Sequence, residues 1–296
     1  MAITGVAVAG GTGNLGPAII TQLLDAGFQV TILSRSESHQ VDSRAKVQIV
    51  DYASLDSLVA ALKDQDAVVN ALSVGIVPRD IHLRLVEAAQ TAGIQRYIPS
   101  EFGSNTGNPL TAQLPVFGDK VAVLQKLEEV SKQDGAFSWT AVINGPFFDW
   151  GLENKFIINL QGPSTRIFDG GDVPVSSTTL ASVGRAVAGV LKHPEETKNR
   201  SVFVSDVQFT QNQLLELSGN ADKIQREDVK TEDVEKQAYE ALKQSPPDGR
   251  AFATNLILRA IYGGKYGALF SKTDNELLGV QKLSEAEVAD VVKKYA

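Results

Sequence analysis

Gly10-Gly11-Thr12-Gly13-Asn14-Leu15-Gly16 is the stretch from which the fold of this chain can be read. It follows an apolar run, Ile3 to Ala9, with the character of a buried parallel strand. It opens a helical pattern in which Leu15, Ile19 and Leu23 recur at four-residue spacing, joined by Ile20 and Leu24. Strand, glycine-rich turn and helix together make an anion site. The glycines let the backbone approach a pyrophosphate, and the helix N-terminus offers free N–H groups with a partial positive charge. Both G-x-x-G-x-x-G (Gly10, Gly13, Gly16) and G-x-G-x-x-G (Gly11, Gly13, Gly16) are satisfied. The flanking strand and helix are the context that such a fingerprint requires. A tight turn with close helix packing and no ligand is the alternative. Gly10, Thr12, Gly13, Asn14, Leu15 and Gly16 are therefore candidate dinucleotide-binding residues.

The strand–helix rhythm continues outward. Val30 to Leu33, Val47 to Val50, Ala67 to Ala71, Tyr97-Ile98 and Trp139 to Ile143 alternate with helical stripes, as in a parallel sheet covered on both faces. Residues 102–115 read as a long loop, followed by a helix from about Val116 to Val130. Beyond Pro146 the rhythm changes to short strands (Arg166 to Phe168, Ser201 to Val204) and helical stretches near 180–191, 210–218, 231–243 and 250–262. Glycines among Tyr266, Phe270 and Leu278 give residues 263–280 the composition of a mobile flap. The expected fold class is α/β: a doubly wound parallel-sheet Rossmann domain over 1–150, to which 178–204 return, and a smaller α+β substrate lobe over 151–296. The lobe should lie over the carboxyl edge of the sheet, where open α/β sheets bind ligands.

Composition narrows the partners. The 296 residues are 43% hydrophobic and 21% charged, ordinary for a soluble globular chain. The net charge of −7 argues against nucleic acid or an anionic membrane as partner. With no cysteine, disulfides and thiolate chemistry are excluded, and the three histidines lack metal-ligand spacing, so no metal site is expected. No apolar run approaches about 18 residues, and no signal core opens the chain. A cytoplasmic protein, monomer or homodimer, is the expectation.

The side chains after the strands discriminate among cofactors. NAD enzymes place an acidic residue beyond the second strand to hold the ribose hydroxyls. Here Ser34-Arg35-Ser36 stands in its place, and a guanidinium clamps a 2′-phosphate, so NADPH/NADP+ is favoured. A solvated loop arginine is the alternative. Asp51 after the third strand either accepts from the adenine amino group or caps the next helix. Leu72 and Ser73 leave the fourth strand, where small residues admit the ribose, and Ser100 and Phe102 leave the fifth. Lys120 lies early in the next helix, on the face of Val116, Val123, Leu124 and Leu127. Partial burial and the helix N-terminus would both lower its pKa, as a donor or proton relay requires; alternatively it snorkels to solvent.

The glycine motif, Arg35, the string Arg96-Tyr97-Ile98-Pro99-Ser100-Glu101-Phe102-Gly103 and Val116-Phe117-Gly118-Asp119-Lys120 occur in order. Together they resemble the isoflavone reductase-like, or NmrA-like, branch of the atypical short-chain dehydrogenase/reductases, over residues 1 to about 190. The resemblance implies that Lys120 is the catalytic acid/base, with secondary metabolism as the setting. The Tyr-x-x-x-Lys pair of the wider superfamily is missing, because Val116 stands four residues before Lys120. The resemblance also implies that the stretch after the sixth strand lines the nicotinamide and substrate pocket, with Asn144, Pro146 and Phe147 at the cofactor. Phe148 and Trp150, with Tyr262, Tyr266 and Phe270 from the flap, are candidates to hold a small aromatic or conjugated substrate. The expected activity is NADPH-dependent reduction of such a carbonyl or alkene. The competing expectation is a non-catalytic NADP(H)-sensing regulator, as other NmrA-like proteins are.

Overall fold

The computed structural model describes residues 2–36 and 42–296. The first strand, β1 (Gly5–Ala9), is buried from Val6 onward and feeds the glycine turn into α1 (Gly16–Asp25). Then come β2 (Gln29–Ser34), β3 (Lys46–Ile49), α2 (Leu55–Leu62), β4 (Ala67–Asn70), α3 (Arg79–Thr91) and β5 (Arg96–Ile98). The Ser54 hydroxyl starts α2 by accepting from the Ser57 N–H at 3.2 Å. The stretch expected as a bare loop holds a short helix, α4 (Pro109–Gln113), capped by Asn108, and a 3-10 turn at Pro115–Phe117. These lead into α5 (Gly118–Gln133) and β6 (Ser138–Ile143).

After β6 the chain leaves the sheet through α6 (Phe148–Glu153), β7 (Ser164–Phe168) and β8 (Val175–Ser177). It returns by α7 (Leu180–Lys192), which packs on α1, to β9 (Arg200–Phe203), which pairs with β6. The sheet order is β3-β2-β1-β4-β5-β6-β9, with every neighbouring pair parallel. The order reverses beside β1, between β2 and β4, and this switch point opens a crevice at the carboxyl edge. One face is covered by α1 and α7 through Ile19, Leu23, Val183 and Val187. The other is covered by α2, α3 and α5 through Leu58, Leu85 and Leu127. At the edge, β3 is exposed along its length, which departs from the buried character its apolar residues suggested.

The lobe is completed by β10 (Val207–Phe209), α8 (Gln211–Leu217), β11 (Gln225–Val229), α9 (Thr231–Leu242), α10 (Gly249–Tyr262), α11 (Asn275–Leu278) and α12 (Glu285–Lys294). β11 pairs in parallel with β7, and β10 antiparallel with β8. Residues 263–280, expected as a flap, form a strap anchored at several points. Ser176 N donates to Ala268 O at 2.9 Å, and the Thr111 hydroxyl donates to Tyr266 O at 2.7 Å. Phe270 enters the core beneath the sheet edge-on to Phe203 at 5.2 Å, while Leu278 and Val280 enter the core on the opposite face. Among the described residues, no helix is long and apolar enough to cross a membrane.

Candidate active site

The glycines of the first turn have separable jobs. Gly10 has φ +81°, and a Cβ there would lie 2.6 Å from the Ala71 carbonyl. A Cβ on Gly16 would lie 2.4 Å from Gly10 O, so this glycine lets the helix close on the turn. Gly13 is different: a Cβ would meet only Gly10 O, at 3.4 Å. The protein itself has room for a side chain at Gly13, which fits a position kept bare for a ligand. α1 begins at Leu15 with no side-chain cap, so its first N–H groups are available to an anion. Thr12, Gly13 and Asn14 are exposed there. These features fit a dinucleotide pyrophosphate. We expect Gly13→Ala to fold with nearly unchanged thermal stability yet weaken NADPH binding roughly tenfold or more in a calorimetric titration. Gly16→Ala, by contrast, should yield little folded protein. Equal behaviour of the two variants would refute this division of roles.

A cleft of about 910 Å³ runs from α1 along the exits of β4, β5 and β6 and under the lobe. Asn14, Leu15, Leu72, Ser73, Ser100, Phe102, Lys120, Pro146, Phe147 and Trp150 all line it. The strand exits forming its floor are tied together. The Ser100 hydroxyl donates to Leu72 O at 2.8 Å, and Gly145 N donates to Gly103 O at 3.0 Å. Ser100 thereby shapes the floor and has spent its proton. Asn144 is fully buried beside this floor, and its Oδ1 has no hydrogen-bond partner.

Lys120 is the third residue of α5, half-buried, and its Nζ donates to the backbone carbonyl of Glu101. Burial lowers its pKa, and the nearby Glu101 carboxylate acts against that shift. The Glu101 carboxyl is itself almost completely buried, is pushed upward by desolvation, and accepts from the Thr106 hydroxyl. Val116 also lines the cleft, so an aliphatic side chain occupies the position of the superfamily tyrosine.

Other expected residues lie elsewhere. Arg35 is exposed at the end of β2, outside the cleft lining, and makes no ion pair among the described residues. Asp51 is exposed, and its carboxylate accepts from Ala53 N at 2.8 Å, which is turn-making work. Phe148 is fully buried against Phe209 at 5.8 Å in the lobe core. Tyr262 is stacked on Phe168 at 5.0 Å and donates its hydroxyl proton to Ile157 O at 2.7 Å. Tyr266 packs under Arg259, and Phe270 lies in the nucleotide-domain core. None of these four aromatics lines the cleft: Phe148, Tyr262 and Tyr266 are packed within the lobe, and Phe270 against the sheet. The lobe wall is built instead from Phe156, Arg166, Phe168, Arg250, Thr254 and Ile257. No spacing in the sequence pointed to these residues, since they converge from β7, α10 and the turn after α6.

The profile of the NmrA-like family matches residues 4–254. The oxidoreductase aprR of Aspergillus flavus is 33% identical, with 98% of this chain and 98% of that protein covered. The oxidoreductase poxI of Penicillium oxalicum is 29% identical over 94% of this chain and 90% of its own length. A solved structure, AtPrR2 with NADP+ and (+)pinoresinol, shares the fold with a TM-score of 0.79 at 22% identity and covers 100% of both chains.

Proposed function

The chain belongs to the NmrA-like family, and from that membership and its cleft we propose an NADPH-dependent reductase of a small conjugated or aromatic carbonyl or alkene. The observation that carries this reading is Lys120, a half-buried ammonium on the cleft wall with its pKa lowered by burial. The uncapped α1 terminus, the bare Gly13 and Arg35 support NADPH as cofactor, as does the NADP+ of the AtPrR2 structure. When bound, NADPH would supply the hydride.

The remaining work falls to the chain's own side chains. Lys120 holds a proton at Nζ, anchored by the Glu101 carbonyl, and offers it to the oxygen on which negative charge grows. Phe147 and Trp150 present flat apolar surfaces to a planar substrate. The lobe forms one wall of the cleft, and a substrate filling it would displace water from the ammonium and strengthen its interaction with an oxyanion. With Val116 in place of a phenol, no second acid competes with Lys120 at that position.

The decisive experiment follows NADPH oxidation across a panel of enones, quinones and aromatic ketones. Substrate-dependent oxidation is expected; NADPH binding with none would identify a dinucleotide sensor instead. For the cofactor, Arg35→Ala is expected to weaken NADPH by about ten- to a hundredfold while leaving NADH nearly unchanged, because a charge-assisted bond to the 2′-phosphate is lost. Equal losses for the two cofactors would remove the 2′-phosphate assignment.

A further inference from the structure

The chain carries a net charge of −7, yet the lobe wall of the cleft is cationic. Lys155, Arg166 and Arg250 stand on it against Glu227 alone. Arg166, in β7, is half-buried, and its guanidinium lies over the Phe168 ring at 5.0 Å. Among the described residues its hydrogen bonding is limited to Gln237 Oε1 at 3.4 Å, and it makes no ion pair. Its in-register neighbour on β11 is Glu227, an exposed carboxylate that attracts it without closing a bridge. Arg250, in the first turn of α10, makes no side-chain hydrogen bond or ion pair among the described residues. Most N–H donors of half-buried Arg166, and those of exposed Arg250, thus have no protein partner among the described residues at the cleft they line. A guanidinium partly withdrawn from water with most of its donors unpaired is costly unless an acceptor meets it.

Resting on the reductase reading, we infer that the substrate is an acid, a conjugated body carrying a carboxylate received by Arg166 and Arg250. The cofactor's own anionic groups do not account for these arginines. The pyrophosphate site at α1 and the exposed Arg35 belong to the opposite, nucleotide-domain side, where Asn14 and Leu15 line the cleft. The lobe wall instead combines aromatic surface, at Trp150 and Phe156, with the guanidinium groups of Arg166 and Arg250, the two kinds of contact that a planar acid needs.

The test measures binding to the NADP+-saturated protein, without turnover, using matched planar probes: trans-cinnamate and 2-naphthoate against their neutral amides. The acids are expected to bind about tenfold more tightly than the amides, since a hydrogen bond to a charged group is worth about that factor or more. Arg166→Gln should bring acid and amide within about twofold, and Arg166→Lys should restore part of the preference. Unchanged NADP+ affinity in each variant establishes that it is folded. Equal affinities for acid and amide, no measurable affinity for either acid, or an acid preference that survives both Arg166→Gln and Arg250→Gln would overturn the inference. NADPH oxidation with neutral enones tests the reductase reading separately, so either can fail while the other stands.

Discussion

Lys120→Ala is expected to lower turnover by about a hundred- to ten-thousandfold, the range spanned by loss of a positioned general acid. NADPH affinity should change little, because the glycine turn and the uncapped α1 terminus remain intact. The pH dependence should carry a signature of burial. A lysine that donates a proton loses activity as pH rises through its pKa. Burial lowers that pKa, so the alkaline limb of kcat/KM should begin below the ordinary lysine range. Lys120→Arg keeps a cation over the Glu101 carbonyl but holds its proton far more tightly, so it should recover part of the rate and lose the alkaline limb. A fully active alanine variant would exclude the proposed role for Lys120 while leaving the family and the fold untouched.

Arg96→Ala should produce the largest loss of stability, about 3–5 kcal/mol in a urea titration, from the cavity left by a large buried side chain together with buried acceptors left unpaired. Arg96 is 2% exposed at the start of β5 and, among the described residues, has no carboxylate bonded to it. Its guanidinium donates to Ser138 Oγ at 3.0 Å, Thr140 Oγ1 at 2.7 Å and Thr197 Oγ1 at 2.9 Å, and also to Pro194 O. Burial pulls its pKa down to about 10, still charged near neutrality. Alanine would leave Pro194 O without this donor and open a cavity between β5, β6 and the turn after α7. Arg96→Met fills most of that volume and should lose clearly less. If the alanine variant lost under 1 kcal/mol, roughly the worth of a single ordinary hydrogen bond, the clamp would be excluded.

The nucleotide domain was legible because its signals are local. Val6 to Ala9, the glycine turn and the Ile19–Leu23 stripe each report on their own strand or helix. Lys120 was legible through its helical face together with a family resemblance. The lobe was less so, because its elements are made by partners distant in sequence. β11 is Gln-Arg-Glu-Asp-Val, a charged run that becomes a strand by pairing with β7. The aromatic residues assigned to the pocket from composition, Tyr262 and Phe270, instead fill cores created by the chain's return path. Arg166 and Arg250 carry no motif and come to line one cleft only once β7 and α10 are folded. One missed element did have a readable signal: Ser284 and Glu287 form a capping box that opens α12.

The strap over residues 263–280 has a consequence for biogenesis. Its hydrogen bond from Thr111 to Tyr266 joins positions 155 residues apart. Phe270 plugs one face of the sheet, and Leu278 and Val280 seal the other. β1 to β6 and the helices α1, α2, α3 and α5 are synthesised first, and the late residues Phe270, Leu278 and Val280 complete the packing that those helices begin on the two faces. Domains commonly complete themselves in the order of translation. Here the last quarter of the polypeptide acts as a clasp, and a chain stalled before Phe270 would lack the last apolar plugs on both faces of the sheet.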